Sequence, residues 1–275
     1  MKNEIGVIVG LRAEEDLFGE VKRFDLRACQ LVGWKPELWT DETADRVRLQ
    51  AGASGVRVIG FWAGWPGPQA WNFVEGPATL GLVPAAYRAQ RVAALERAGA
   101  FARRAAIPAV ITHLGFIPEN PSDPLFAEVV AAVRQVAQHL DGLGLEFWFE
   151  TGQETPTTLL RLIQAVGTAN LGINLDPANL VMYGKGNPMD ALSVFGKYVR
   201  NIHAKDGLYP TDPMRLGREV KVGEGAVRYP EFVRCLGEIG FQGEFIIERE
   251  ISGDQQRREI ADTVAYLKRL LAETP

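Results

Sequence analysis

Short apolar runs rich in β-branched and aromatic residues recur along the chain, and each is followed by a segment with the spacing of an amphipathic helix. Runs of this length predict β-strands, and strands that alternate with helices predict βαβ units in a parallel sheet. The runs are apolar throughout, which is typical of strands covered on both faces. Eight strands are predicted, at Glu4–Gly10, Pro36–Trp39, Val56–Trp62, Ile107–His113, Leu145–Glu150, Leu171–Asp176, Val199–Lys205 and Glu244–Glu248.

The segments between the strands predict helices and long loops. Clear helical patterns span Pro84–Ala105, Pro124–Leu143, Pro156–Val166, Pro188–Phe195, Pro230–Ile239 and Asp254–Leu271. Weaker helical patterns span Glu14–Val32, Thr43–Ala53 and a short turn in Leu208–Met214. Three long loops follow strands, at Ala63–Val83, Pro177–Asn187 and Asp206–Arg228. Loops at the carboxyl ends of parallel strands are where a barrel places its active site.

The number of repeats predicts the fold class. Eight strand–helix repeats within 275 residues predict an α/β protein, a closed (β/α)8 TIM barrel that forms one domain over residues 1–275. The usual size of that fold is about 250 residues. An open, doubly wound sheet is the alternative, and it is disfavoured because no G-x-G-x-x-G pattern follows the first strand.

Composition and charge narrow the classes of function. The net charge is -4, and Lys and Arg are interleaved with acids, which argues against nucleic acid as a partner. No apolar stretch approaches the roughly 20 residues of a membrane span, and no signal peptide is visible, so we expect a cytoplasmic protein without a membrane partner. A small neutral or weakly charged ligand fits best. A homo-oligomer is compatible with the sequence but is not specified by it.

Four of the later predicted strands end in side chains that bind metal ions. Glu150, Asp176, His203 and Glu248 close four successive strands and are 26, 27 and 45 residues apart. Each one alone could be a helix cap or a surface charge, but four at the same level of adjacent strands predict a shared site. Without a cation, the converging carboxylates would repel one another. We therefore predict one divalent metal ion.

The ligand types favour certain metals over others. Three carboxylates and one imidazole suit a hard or borderline cation, so manganese, magnesium or cobalt is expected. Zinc is less favoured because no thiolate accompanies the four groups.

Several sequence blocks carry a resemblance to a known superfamily. The segments ETGQET, NLDPANLVMYGKGNP, NIHAKDG, VGEGAVRYPEF and FIIERE occur in this order from Glu150 to Glu250. In these blocks the chain resembles the xylose-isomerase-like barrel superfamily, the sugar phosphate isomerase/epimerase group. The resemblance covers most of the chain and implies a TIM barrel.

The resemblance also implies roles for the four groups. In the ketose 3-epimerases of this superfamily, Glu, Asp, His and Glu at these strand ends hold the metal, and the two Glu ligands are the acid/base pair. Glu150 and Glu248 take the catalytic roles by this resemblance. Two positions depart from the subfamily pattern. Asn179 stands where the epimerases carry a substrate-binding His, and Arg218 lies further from His203 than their Arg does, which puts a free ketose substrate in doubt.

Further residues near the predicted strand ends are candidates for contacting the substrate. Each also has a plain structural interpretation, as core packing, a helix cap or a loop ion pair. The substrate-binding candidates are His113, Lys205, Asn179, Trp62, Arg218 and Glu154.

The chemistry predicted for such a site is proton transfer next to a carbonyl. A metal ion stabilises the enediolate as a Lewis acid, and a carboxylate moves the proton. The predicted function is a metal-dependent isomerase or epimerase of a sugar or polyol. A lyase or dehydratase acting on a keto-inositol or a 3-keto-glycoside is the first alternative. A non-catalytic sugar-binding barrel is the second.

Overall fold

Eight parallel strands close into a barrel, which confirms the predicted TIM-barrel fold. The computed structural model describes residues 1, 3–13 and 16–274. Each barrel strand pairs with its neighbours in chain order, and the last strand pairs with the first. The barrel strands are β1 (Ile5–Gly10), β2 (Ala28–Gly33), β3 (Arg57–Ala63), β4 (Ala109–Thr112), β5 (Glu146–Glu150), β6 (Leu171–Leu175), β7 (Val199–Ala204) and β10 (Glu244–Ile247).

Helices surround the barrel and connect its strands. They are α1 (Gly19–Arg23), α2 (Asp41–Ser54), α3 (Gly76–Thr79), α4 (Ala85–Arg104), α5 (Pro124–Gly142), α6 (Pro156–Val166), α7 (Pro177–Met182), α8 (Pro188–Phe195), α9 (Tyr229–Glu238) and α10 (Gly253–Glu273). Short 3-10 helices lie at Pro36–Leu38 and Gly196–Tyr198, and a small antiparallel pair joins β8 (Asp206–Gly207) to β9 (Glu219–Val220).

Several helices begin where a polar side chain caps a proline-led first turn. The side chain of Asp123 accepts from Leu125 N before α5, and that of Thr155 accepts from Thr158 N before α6. Proline fits the first helical position because its missing N–H has no partner there in any helix. These caps fix where each of these loops ends and the next helix begins.

The inside of the barrel is filled in layers. An apolar cluster that includes Ile59, Ile111, Trp148 and Ile246 packs within the barrel. Trp148 and Ile246 lie two residues before Glu150 and Glu248 on their strands. Because strand side chains alternate between faces, these apolar residues form a floor directly beneath the predicted site.

The prediction for the second strand is wrong. The predicted helix Glu14–Val32 contains only the five-residue α1, and β2 runs through its end, while predicted strand Pro36–Trp39 is largely a 3-10 helix. Residues 14 and 15, where that prediction begins, lie outside the described part of the chain. After α1, Asp25 takes the left-handed conformation, with φ 54, that a glycine usually provides at the end of a helix. The usual glycine signal for a helix end is therefore missing from the sequence.

Two loop predictions need smaller corrections. The predicted loop Pro177–Asn187 begins with α7, because the Asp176 side chain caps that helix by accepting from Asn179 N at 2.9 Å. The predicted turn in Leu208–Met214 contains no helix, and this segment instead lies between β8 and β9. The other seven strands overlap their predicted ranges closely.

The long loop after β3 packs against the residues that follow β4. Gly81 has φ +67, and a Cβ there would lie 2.0 Å from the carbonyl oxygen of Leu114. Leu82 N donates to that same oxygen at 2.8 Å. Since His113 immediately precedes Leu114, this close backbone contact positions the end of β4.

We expect Gly81→Ala to lower the free energy of unfolding by at least about 2 kcal/mol, because the left-handed backbone and the backbone clash both oppose a Cβ. Gly52→Ala is the matched control, since a Cβ at Gly52 in α2 meets nothing within 4 Å. The control should be more stable by about 0.5–1 kcal/mol. Denaturant titration measures both. Wild-type stability in Gly81→Ala would contradict this packing.

Candidate metal centre and substrate cavity

Four strands bring three carboxylates and one imidazole to one point at the carboxyl end of the barrel. Glu150 ends β5, Asp176 follows β6, His203 lies in β7 and Glu248 follows β10. Their ligand atoms all lie within 4.8 Å of one another. Ligands at roughly 2.0–2.6 Å from a shared divalent ion are at most about 4–5 Å apart. The spacing therefore suits one metal ion.

Atoms without hydrogen-bond partners also fit a cation at this point. Asp176 Oδ2, His203 Nδ1 and Glu248 Oε2 are buried without such a partner. His203 Nδ1 lies 2.8 Å from Glu248 Oε2, but the contact lacks the direction of a hydrogen bond. Unpaired buried polar atoms are costly, and a shared cation would satisfy all three at once.

The Glu150 carboxylate is surrounded by N–H donors. Trp62 Nε1 donates to Glu150 Oε2, and Asn179 Nδ2 donates to Oε1 at 3.2 Å. His113 Nε2 lies 3.4 Å from the same Oε1. Three of the predicted substrate-binding residues thus contact a predicted metal ligand, and they hold its carboxylate in one orientation.

A buried amide layer supports His203 from below. His203 Nε2 lies 3.1 Å from Gln30 Oε1 and 3.0 Å from Asn174 Nδ2, and Asn201 Nδ2 donates to Gln30 Oε1 and to Asn174 Oδ1. Gln30 Oε1 is the acceptor for a proton on Nε2, and in that tautomer Nδ1 keeps its lone pair for a cation. Sequence reasoning missed Gln30 because its segment was assigned to a helix. An isolated Gln within the apolar run ACQLVG was the available signal.

Electrostatics at the centre favour charged groups despite burial. Burial raises the pKa of Glu150, but His113 and His203 outweigh burial and hold this pKa well below 4.5. Burial also opposes ionisation of Glu248, and Lys205 and His203 bring its pKa below the ordinary value. Burial lowers the pKa of His113, but Glu150 raises it above 6.5. The carboxyl groups of Glu150 and Glu248 are therefore ionised at neutral pH.

Lys205 is a buried counter-charge to the carboxylates. Its Nζ lies 2.6 Å from Glu250, 3.5 Å from Asp176 and 3.6 Å from Glu248. Burial lowers the pKa of Lys205, yet these acids hold it well above 10.5. Lys205 thus pairs with carboxylates, and a substrate contact from Lys205 stays a prediction.

The loop after β7 is gathered around Asp206. Its carboxylate accepts from the backbone N–H groups of Gly207, Gly223, Gly225 and Val227 at 2.8–3.1 Å. Arg218 lies within this loop, is exposed, and does not line the described part of the cavity. A substrate contact from Arg218 stays a prediction.

Glu154 is a buried acid close enough to His113 for the two charges to interact. It is 2% exposed, and its Oε2 has no hydrogen-bond partner. Burial raises the pKa of Glu154 to about 7, against the lowering effect of His113. It is not among the described cavity-lining residues, so its role toward a substrate also stays a prediction.

A cavity of about 400 Å³ opens above the four groups. Glu150, His203 and Glu248 line its floor together with Gln30, His113 and Asn179. The rest of its described lining is mainly apolar and consists of Ile8, Val32, Trp34, Trp62, Trp71, Met182, Tyr183, Leu216 and the acid Glu250. Trp62 was a predicted contact, whereas Trp34 and Trp71 were not singled out.

Comparison with known families gives a match over nearly the whole chain. The sequence model of the xylose isomerase-like TIM barrel family matches residues 18–270. A xylose isomerase domain protein from Planctomyces limnophilus is 35% identical, with 97% of this chain and 96% of that chain covered and a TM-score of 0.91.

Two other solved structures and one further protein are similar to this chain at lower sequence identity. A D-tagatose 3-epimerase-like protein is 19% identical, with 98% and 97% of the two chains covered and a TM-score of 0.76. The 3-keto-D-glucoside 4-epimerase of E. coli is 14% identical, with 98% and 100% covered and a TM-score of 0.71. An uncharacterized protein of Methanocaldococcus jannaschii is 26% identical over 156 residues, 51% of this chain and only 50% of that protein's length. Within residues 1, 3–13 and 16–274, no helix is long and apolar enough to cross a membrane.

The raised pKa of Glu154 predicts a pH-dependent stability difference. Burial penalises the ionised form, so the penalty is absent below pH 4.5, grows between pH 4.5 and about 7, and is complete above that. We expect Glu154→Gln to be more stable than the wild type by up to about 3 kcal/mol at pH 8, and equal to it near pH 4. Urea unfolding across this pH range measures the difference. The exposed Glu238→Gln is the control, and parallel pH curves for Glu154→Gln and the wild type would contradict the burial effect.

Proposed function

The chain belongs to the xylose isomerase-like TIM barrel family, and we propose that it is a divalent-metal-dependent isomerase or epimerase of an unphosphorylated sugar. The observation that supports this most is the convergence of Glu150, Asp176, His203 and Glu248 on one point at the floor of an open cavity. The epimerase names among the structural neighbours agree with it.

The four residues of the centre would hold the cation. Three oxygen ligands and one nitrogen ligand suit manganese, magnesium or cobalt. A divalent ion bound there would act as a Lewis acid toward a carbonyl and a neighbouring hydroxyl of the sugar, which makes the adjacent C–H acidic enough to ionise.

The chain's own carboxylates would move the proton. Glu248 is the more accessible of the pair, since its side chain is 18% exposed while that of Glu150 is 4% exposed. Both line the cavity, so one can remove a proton from the sugar carbon and the other can return one. Return to the opposite face epimerises the centre, and return to the neighbouring carbon isomerises the sugar.

A lyase is the second candidate, and His113 is the observation that favours it. This imidazole lines the cavity beside Glu150, and its pKa is raised by that carboxylate against the effect of burial. It offers a third proton carrier, which could protonate a leaving group after the first proton is removed.

Metal binding should raise the free energy of unfolding and the Tm of the protein. Adding Mn²⁺ at about 100 times its Kd should stabilise the wild type by about 2.7 kcal/mol, or roughly 5–10 °C in Tm. Asp176→Asn should lose most of this gain, although Asn keeps an acceptor for the α7 cap. Asp254→Asn, at an 83% exposed side chain, is the control. Differential scanning calorimetry with and without EDTA makes the comparison. An equal Tm gain in Asp176→Asn would exclude Asp176 from the site.

Turnover should exchange a carbon-bound proton of the substrate for deuterium from the solvent. Incubation of the metal-loaded enzyme with ketoses, keto-inositols and 3-keto-glycosides in D₂O should place deuterium at one carbon next to a carbonyl. Glu150→Gln and Glu248→Gln should each slow exchange by about 10²–10⁴-fold. NMR locates the deuterium, and product mass separates epimerisation from elimination. The exposed Glu238→Gln should exchange at the wild-type rate. Wild-type exchange in Glu248→Gln would remove that residue from proton transfer.

A further inference from the structure

We propose that the substrate is a neutral sugar carrying a second, apolar ring, and that this ring binds against an aromatic wall formed by Trp34, Trp62 and Trp71. The inference rests on the proposed function for the position of the reacting sugar, at the carboxylates of the cavity floor. The aromatic wall itself is a feature of the cavity that this reaction does not require.

The aromatic wall begins at the catalytic floor and reaches the surface. Trp62 contacts Glu150 through its indole N–H. The ring of Trp34 lies 4.7 Å from that of Trp62 and 6.3 Å from that of Trp71. Trp34 and Trp71 are each 39% exposed, whereas Trp62 is 5% exposed. The aromatic surface therefore extends beyond the position of a sugar held at the floor.

The wall is held rigidly from behind. Buried Arg91 donates to the carbonyl oxygens of Pro66, Pro68 and Gly81 at 2.7–3.2 Å, and its guanidinium lies 5.3 Å from the ring centre of Trp65. These contacts fix the loop that carries Trp71. A preformed apolar surface binds a ring without paying further ordering entropy, which favours affinity.

Further apolar residues line the same cavity. They are Met182, Tyr183 and Leu216, in addition to the indoles. Apolar lining of this kind suits a flat ring, since aromatic groups bind other rings by stacking and edge contacts. The cavity volume of about 400 Å³ falls within the roughly 300–1,000 Å³ of typical small-molecule sites.

The charge of the cavity disfavours a phosphate as the second group. Among its described lining residues there is no Lys or Arg, while Glu150, Glu248 and Glu250 contribute negative charge. Lys205, close to the floor, is already paired with Glu250, Asp176 and Glu248. The additional group is therefore uncharged as well as apolar.

Calorimetric titration of the metal-loaded protein with two glycosides tests the proposal. Phenyl β-D-glucopyranoside should bind at least ~5-fold more tightly than methyl β-D-glucopyranoside, because only the first carries a ring for the wall. Trp34→Ala should remove most of this difference and leave the affinity for the methyl glycoside within about 2-fold. Leu49→Ala, at a 68% exposed position on α2, should preserve it.

Three results would overturn the proposal. They are equal affinity of the wild type for both glycosides, failure to bind either, and an unchanged preference in both Trp34→Ala and Trp71→Leu. The comparison of the two glycosides on the wild type does not depend on the folding of any variant. Melting curves show whether the Trp34→Ala and Trp71→Leu variants are folded. Titration needs no turnover, so its outcome is independent of proton exchange. A protein that exchanges a free ketose as efficiently as a phenyl 3-keto-glycoside would refute the second ring while retaining the isomerase.

Discussion

Mutual repulsion of three carboxylates at the end of an apolar barrel is the constraint on which the rest of the centre depends. Glu150, Asp176 and Glu248 converge above a floor of Trp148 and Ile246, where solvent screening is weak. Nearly every polar neighbour is a donor or a cation. Indole, amide and imidazole N–H groups face Glu150, and the Lys205 ammonium lies near the other two. The neighbours compensate part of the charge, and the remaining unpaired atoms are ones that a cation could satisfy.

Trp62 joins the two parts of the cavity. Its indole nitrogen belongs to the polar floor through Glu150, and its ring belongs to the aromatic surface with Trp34. One side chain therefore contributes both to the orientation of the carboxylate and to the shape of the aromatic surface. A change at Trp62 would affect both together, whereas Trp71 is linked to Glu150 only indirectly, through its ring contact with His113.

The sequence predicted the barrel and the four converging groups because strand ends in this fold share one face, so regular repeats place their last residues together. It did not predict Gln30 or Trp34, since both depend on β2. The helix before β2 ends at Arg23, and the left-handed position that follows it is Asp25 and not the usual glycine. The aromatic contacts of Trp71 depend on a loop that Arg91 fixes by donating to backbone carbonyls. Because every residue type has a backbone carbonyl, the sequence does not reveal such contacts. The pairing of Lys205 required the three-dimensional positions of Asp176, Glu248 and Glu250.

The Asp206 carboxylate closes the base of the loop that follows His203, because it binds backbone N–H groups up to 21 residues further along the chain. The segment that this closure encloses is exposed at Tyr209 and Met214. Its two ends are fixed independently of its length, and a longer loop costs little extra closure entropy. Insertions and deletions there can accumulate in evolution, or be introduced by design, while the neighbouring imidazole keeps its place. The barrel thus offers one segment in which new specificity can arise separately from the chemistry.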